Sequence, residues 1–244
     1  MKKLIALSLI FALSVISLAA RPAPPPTGLV IPVICYHSIT NDSTDHYATK
    51  LSVFKEELAY LNSNGYTALS ADEYYNIMNG LANAPNKPIL LTFDDCYADF
   101  YTNAYPELKL YGMKATIFIV SGWLDQAGRL TSDQLRVLAA DSIDVQNHTV
   151  THDYLSRMTT AQINTEIGGC NDKISPITGK APQFVAYPYG DYDTDVVTIE
   201  KSLGIKMAFV VGGGNTTPSD DQFSLGRIIM TNSDTLSSFI RKLP

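Results

Sequence analysis

Asp94 and Asp95 close an apolar run, Ile89-Leu90-Leu91-Thr92-Phe93, that reads as a buried strand. Acids at the C-terminal end of a strand stand where barrel enzymes carry their reactive groups. Successive strand residues point to opposite faces, so the two carboxylates form a facing glycosidase pair only if the chain kinks there. If the strand ends between them, they can do two different jobs at one site. A plain helix start, where Asp caps free N–H groups, is the alternative. His148 and His152, two of four histidines, flank Thr149-Val150-Thr151. The β-branched residues between them disfavour a helix, and Thr149 stands where the metalloprotease pattern HExxH needs its Glu. A strand end that folds back can still aim both imidazoles at one ion, and neutral imidazole is a natural zinc ligand. Two unrelated surface histidines are the alternative. A third segment, Phe184-Val185-Ala186-Tyr187-Pro188-Tyr189-Gly190, runs from a strand into a turn whose backbone Pro188 and Gly190 fix. Such a turn can offer Tyr189 and a backbone N–H to a developing oxyanion, or it can be an ordinary connection.

The elements that must position these groups alternate strand and helix. Strands are expected at residues 31–35, 66–69, 89–93, 115–120, 143–146, 184–187, 207–211 and 225–230. Between them, Ser52 is expected to cap a helix with Phe54, Leu58 and Leu61 on one face. Ser70 with Glu73, Thr131 with Gln134 and Thr159 with Gln162 carry the capping-box spacing. The last of these opens a helix with Ile163, Ile167, Cys170 and Ile174 on one face. A helix at 194–203 closes at Gly204, residues 212–214 read as a flexible turn, and Asp234 is expected to cap a closing helix. About eight strands and seven helices in alternation imply a parallel sheet covered by helices. The fold class is therefore α/β, and a closed or nearly closed single-domain (β/α) barrel is the first expectation. An open doubly wound sheet is the alternative.

The chain has 244 residues, 45% of them hydrophobic, and a net charge of −6. That length suits one domain with a sizeable core. No basic run or stripe is present, which excludes a nucleic-acid partner. Residues 1–20 read as a secretory signal peptide: Lys2 and Lys3, an apolar run, then small residues for cleavage. An uncleaved anchor is the alternative, although the run is short for a span. Residues 21–28, with RPAPPP, read as a stiff tether, and 29–244 as the folded domain. The expectation is a secreted or cell-envelope monomer with no stable membrane span. Three cysteines, Cys35, Cys96 and Cys170, exclude a disulfide scaffold and leave one bridge or three buried thiols.

Taken together and in order, TFDD, HTVTH and PYG resemble the polysaccharide deacetylases of carbohydrate esterase family 4, the NodB homology domain. The resemblance covers residue 31 to the C-terminus and implies a distorted (β/α) barrel of about seven to eight strands. It implies hydrolysis of N-acetyl groups on a polysaccharide containing N-acetylglucosamine, such as poly-N-acetylglucosamine, chitin or peptidoglycan. An O-acetyl esterase and a catalytically silent binding domain remain alternatives. By resemblance, Asp94 is the catalytic base, while Asp95, His148 and His152 hold a metal. Zinc is the default, with Co2+ or Ni2+ able to serve. Pro188, Tyr189 and Gly190 face the substrate and oxyanion. Tyr97, Trp123 and Tyr189 are candidates to stack on sugar rings.

The chain departs from the family pattern in three places. The usual Arg before Pro-Tyr-Gly is missing, and Arg227 at the start of the last strand is the candidate to orient the base instead. The His expected near the C-terminus is also missing. His37, just after the first strand, is the candidate general acid, because the first and last strands of a barrel are neighbours. That arrangement resembles the circularly permuted poly-N-acetylglucosamine deacetylase branch. Cys96 stands where the family usually has Gly, which is strained if the position needs positive φ. Cys35 and Cys96 could then meet near the site, but buried thiols are the expectation.

Overall fold

The computed structural model describes residues 28–244. The signal peptide expected at 1–20 and all of the tether except Gly28 lie outside the described residues. Ile31–Tyr36 (β1) and Pro88–Phe93 (β3) are apolar on both faces and buried at every position, as strands covered on both sides must be. They pair in parallel, with Cys35 opposite Thr92. Ala115–Ile119 (β4), Ile143–Asn147 (β5), Phe184–Ala186 (β6), Met207–Gly213 (β7) and Leu225–Ile229 (β9) continue the parallel order. β9 then pairs with β1, Cys35 lying opposite Ile229, so the sheet closes on itself. The result is a barrel of seven parallel strands, which settles the choice against an open sheet. Two short strands are accessory: Thr67–Leu69 (β2) lies along the first half of β3, and Asn215–Thr216 (β8) runs antiparallel to β1.

Helices α1 (Leu51–Ser63), α2 (Ala71–Met78), α3 (Tyr105–Leu110), α4 (Ser132–Ala139), α5 (Thr160–Thr178), α6 (Thr194–Ser202) and α7 (Leu236–Lys242) fill the connections. The boxes at Ser70/Glu73, Thr131/Gln134 and Thr159/Gln162 all form, each with reciprocal side-chain and backbone bonds. Two expected caps do not. α1 starts one residue before Ser52, with Lys50 at its cap position and no side-chain bond. α7 is capped by Thr235 with Ser238, because Asp234 is occupied by Thr231 and Lys242. β7 runs on to Gly213 through a register shift where a turn was expected. A π-turn, Phe100–Ala104, precedes α3, where Pro106 has no N–H to give the preceding turn.

Alternation divides the core. Ile34, Tyr36, Leu91, Phe93, Ile117 and Ile119 pack outward against the helices. Ile31, Val33, Leu90, Phe118, Phe184, Phe209 and Leu225 gather with Tyr74 and Ile77 of α2 in a second cluster inside the barrel. Cys35, Cys96 and Cys170 are buried free thiols, so Cys35 and Cys96 are not bridged. No helix of the described residues is long and apolar enough to cross a membrane.

Candidate active site

Leu90, Thr92 and Asp94 share one face by the two-residue repeat of a strand, as do Val33, Cys35 and His37 on the neighbouring strand. Both columns point into the barrel, and their last members arrive together at its C-terminal mouth. A Cys35 sulfur, a His37 ring nitrogen and an Asp94 oxygen lie within 4.8 Å of one another. Asp94 is 3% exposed. Its two oxygens accept from Arg227 Nη1 at 2.8 Å and Nη2 at 2.7 Å, and Oδ2 also accepts from the Cys35 thiol. Burial alone would raise its pKa, but the Arg227 guanidinium and His148 outweigh burial and hold it well below the usual carboxylate range. Arg227 is itself fully buried, rising inside the barrel from β9 beneath the carboxylate.

The chain kinks immediately after Asp94. Asp95 has φ 74° and Cys96 φ 51°, a left-handed pair with no glycine in it. The kink brings both carboxylates to the same imidazole: His148 Nε2 is 3.8 Å from Asp94 Oδ2 and 3.5 Å from Asp95 Oδ1. His152 Nε2 is 3.4 Å from that same Asp95 oxygen. The separation of roles expected between the two acids therefore comes from a turned backbone rather than from opposite strand faces.

HTVTH folds back on itself, as its β-branched middle suggested, through positive φ at Thr149 and His152. Asn147 accepts from Thr149 N–H and Thr149 Oγ1 from His152 N–H, closing the loop locally. Glu166 of α5 accepts from the N–H groups of Val150 and Thr151 and from the Thr151 hydroxyl. Gly122 donates to Val150 O at 2.9 Å, and a Cβ there would lie 2.4 Å from that oxygen, so only glycine fits. His148 Nδ1 is 2.6 Å from Ala186 O. A carbonyl only accepts, so Nδ1 carries the proton and the Nε2 lone pair faces Asp95.

Asp95, His148 and His152 thus bring three donor atoms within 4.8 Å of one another. Asp95 Oδ1 is buried and makes no hydrogen bond, a lone pair held in place for another partner. Burial and the neighbouring His148 lower His152 to about 4, keeping it a neutral donor. Burial opposes protonation of His148 too, but Asp94 and Asp95 outweigh it and raise that pKa. One carboxylate and two imidazoles form a donor set that suits a divalent cation taking oxygen and nitrogen ligands. The donor set fits the metal that the motifs imply.

These groups line one pocket of about 270 Å3, with His37, Tyr47 and Tyr97 along its wall and Tyr189 at its rim. The His37 Nδ1 atom is buried without a partner, and its ring lies 5.0 Å from that of Tyr47. Burial lowers its pKa, and the two aspartates oppose that only in part. Asp99 accepts from the Ser38 hydroxyl and Ile39 N–H and so anchors the segment after His37. Tyr189 has φ 59°, is 54% exposed and stacks on Tyr154 at 4.2 Å. Pro188 is buried, and Gly190 has φ 72° with a Cβ position 2.9 Å from Val211 N, so a side chain is barred there twice. Trp123 packs between Arg129 and His152, which favours packing over sugar contact.

Sequence reasoning passed over Arg129, Glu166, Asn147 and Asp99. Arg129, Glu166 and Asp99 each act through a bond to backbone far along the chain, which no local spacing signals, while Asn147 bonds the Thr149 N–H two residues on. Only the capping preference of Asn and Asp hinted at two of them.

A family model described as polysaccharide deacetylase matches residues 82–208, just over half the chain. It spans Asp94, Asp95, both metal-site histidines and the Pro-Tyr-Gly turn, and leaves His37 and Arg227 outside. Among curated proteins, Bacillus subtilis YxkH, which bears the name of a polysaccharide deacetylase, is 28% identical over 209 residues, covering 86% of this chain and 74% of its own. The poly-β-1,6-N-acetyl-D-glucosamine N-deacetylase of Staphylococcus aureus is 24% identical over 214 residues, covering 81% and 72%. Among solved structures, the deacetylase PplD of Streptococcus pyogenes, determined with acetate, superposes with a TM-score of 0.84 at 26% identity. It covers 88% of this chain and 99% of its own. IcaB from Ammonifex degensii shares the fold, with a TM-score of 0.75 at 23% identity, covering 82% and 91%. The matched interval contains the paired acids, the folded-back histidine loop and the Pro-Tyr-Gly turn, and on that ground the chain belongs to the polysaccharide deacetylase family.

Proposed function

We propose that this protein is an exported, metal-dependent hydrolase that removes N-acetyl groups from a polysaccharide containing N-acetylglucosamine, releasing acetate. The observation that carries the reading is Asp94. It is a buried carboxylate held ionised by Arg227, beside a three-donor cation site and within reach of His37. Poly-N-acetylglucosamine is the first substrate to try, because the S. aureus relative is named for it; chitin and peptidoglycan follow. Residues 1–20 support export to the cell envelope or medium. The protein is taken to act as a monomer.

Asp95, His148 and His152 would hold the ion, zinc by default or Co2+ or Ni2+. When bound, that ion supplies Lewis-acid polarisation of the acetyl carbonyl and a lower pKa for water. Asp94 Oδ accepts one proton from the water that attacks the carbonyl carbon. Arg227 keeps the carboxylate ionised and aimed, taking the part of the Arg missing before Pro188. The Tyr189 N–H, on a turn fixed by Pro188 and Gly190, donates to the oxyanion as it develops. His37, in its protonated form, gives a ring N–H proton to the amine nitrogen as the C–N bond breaks and is left as neutral imidazole, yielding acetate and a free amino sugar. His37 follows directly on β1, which pairs with the last barrel strand, and this placement supports the likeness to the permuted branch.

The test is acetate release from an N-acetylglucosamine oligomer, with and without a chelator and re-added zinc. Release that needs the metal and is lost in Asp94→Asn is expected. Release from acetylated xylan but from no N-acetylated glycan would overturn the reading in favour of an O-acetyl esterase. Binding of oligomer and ion without release would overturn it in favour of a silent binding domain. His37→Ala separates the leaving groups: it is expected to slow amide cleavage far more than ester cleavage, because an amine leaves only when protonated.

A further inference from the structure

Asp95 and Cys96 are consecutive residues in the left-handed region, and neither is glycine. Such backbone persists only where the surroundings over-determine it. Here the surroundings are one loop, 124–131. Leu130 N–H donates to Cys96 O at 2.9 Å, Ala98 N–H donates to Gly128 O at 3.0 Å, and Tyr97 forms a β-bridge with Arg129. Arg129 adds the side-chain lock. Its Nη1 donates to the carbonyl of Asp95 at 2.7 Å. Its guanidinium lies over the Tyr97 ring and over the Trp123 ring, each at 4.3 Å. The Trp123 ring in turn packs 5.3 Å from that of His152.

We propose that Arg129 is a positioning residue that ties Asp95 to His152, two of the three metal donors, through its bond to the Asp95 carbonyl and its stacking on Trp123. The inference rests on the metal reading above. An arginine suits the task because its plane offers two faces for stacking and its N–H groups point outward in a fixed fork. Lysine keeps the charge but has neither plane nor fork. The contact is with backbone and rings rather than with the Asp95 carboxylate. Arg129 therefore sets where the donor stands without competing with a cation for it.

The experiment is a titration of the full-length protein with Co2+ alone, read by its visible absorption bands, and with Zn2+ against a competing chelator. Wild type, Arg129→Lys and Arg129→Met are compared, and thermal unfolding of each metal-free protein is recorded alongside. The expected result is a 10- to 100-fold loss of metal affinity in both variants, the usual effect of removing an outer support of a metal ligand. Altered Co2+ bands are expected with it, and no rescue by lysine. If Arg129→Met is too unstable to purify, Arg129→Lys carries the test. Affinities within about twofold of wild type would overturn the proposal, even if unfolding temperatures fall, since that is all a purely structural role would change. Loss in Arg129→Met with full recovery in Arg129→Lys would overturn it in favour of a charge effect. Failure of the wild type to bind either ion would overturn the metal reading itself, and the clamp with it.

Discussion

Arg227 and Asp94 stand 133 positions apart and meet as a two-pronged pair inside the barrel, Nη1 and Nη2 each on its own carboxylate oxygen. Their strands do not pair with each other; both pair with β1, and the arginine reaches across beneath Cys35. The pair sets the charge of the proposed base, and its two parallel bonds set the orientation.

Removing one partner of such a pair is costly, because it strands a charge in a dry interior. Arg227→Met is expected to lower stability by about 3–5 kcal/mol in urea unfolding. Acetate release should fall to background in the protein that remains folded, as the Asp94 pKa rises. Asp94→Asn keeps an acceptor for the arginine. It should lose activity by about 10²–10⁴-fold, the share of a general base, at smaller cost to the fold.

Metal binding should register as stability. Zinc at a hundredfold excess over its Kd is expected to add about 2.7 kcal/mol to the wild type, seen as a rise in the thermal midpoint that a chelator reverses. His152→Ala should abolish the rise. Glu166→Ala should shrink it, since it frees the Val150 and Thr151 N–H groups that hold the histidine loop. An undiminished shift in His152→Ala would remove that residue from the donor set.

Two buried carboxyls away from the donors predict a pH dependence of folding. Burial raises Glu57 and Glu200 to about 8, although Tyr36 donates to the first and Tyr187 to the second. Between their ordinary value of 4.5 and about 8 the folded chain holds protons that the unfolded chain releases. Stability must therefore fall as pH rises through that window, by up to about 1.4 kcal/mol per pH unit for each group. Glu57→Gln and Glu200→Gln should each flatten the slope and stabilise the fold above pH 8. An unchanged slope in the double variant would show that both glutamates ionise freely.

Two glycines should respond oppositely to alanine. Gly122→Ala drives a methyl group into Val150 O, and is expected to cost about 1–3 kcal/mol and to displace the histidine loop. Gly168→Ala, within α5, meets Leu203 carbons and Asn164 Nδ2, all at 3.6 Å or more, and should gain roughly 0.5–1 kcal/mol. Chemical denaturation of both variants checks the pair.

Local signals carried far in this chain. The three capping boxes were readable because a cap and its partner lie three residues apart and depend on nothing else. Strands β1, β3 and β4 announced themselves as short, largely apolar runs, because a strand covered on both faces has little polar side to show. One box of the same spacing was passed over: Thr235 with Ser238 caps α7, while the oxygens of the neighbouring Asp234 are taken by Thr231 and Lys242.

By itself the sequence determined the alternating α/β order, the paired acids at a strand end, the two histidines in a segment unable to be helical, and the turn at Pro188 and Gly190. The tertiary structure decided that the sheet closes, that Asp95 turns back toward the imidazole facing Asp94, that Arg227, already a candidate in the sequence, reaches Asp94, and that Arg129 and Glu166 bond to the backbone on either side of the pocket. The reason is physical. Strand and helix preferences, caps and turns are written within a few residues, whereas closure, a left-handed Asp95–Cys96 pair and a guanidinium bonded across 133 positions are stable only once every neighbouring strand is in place.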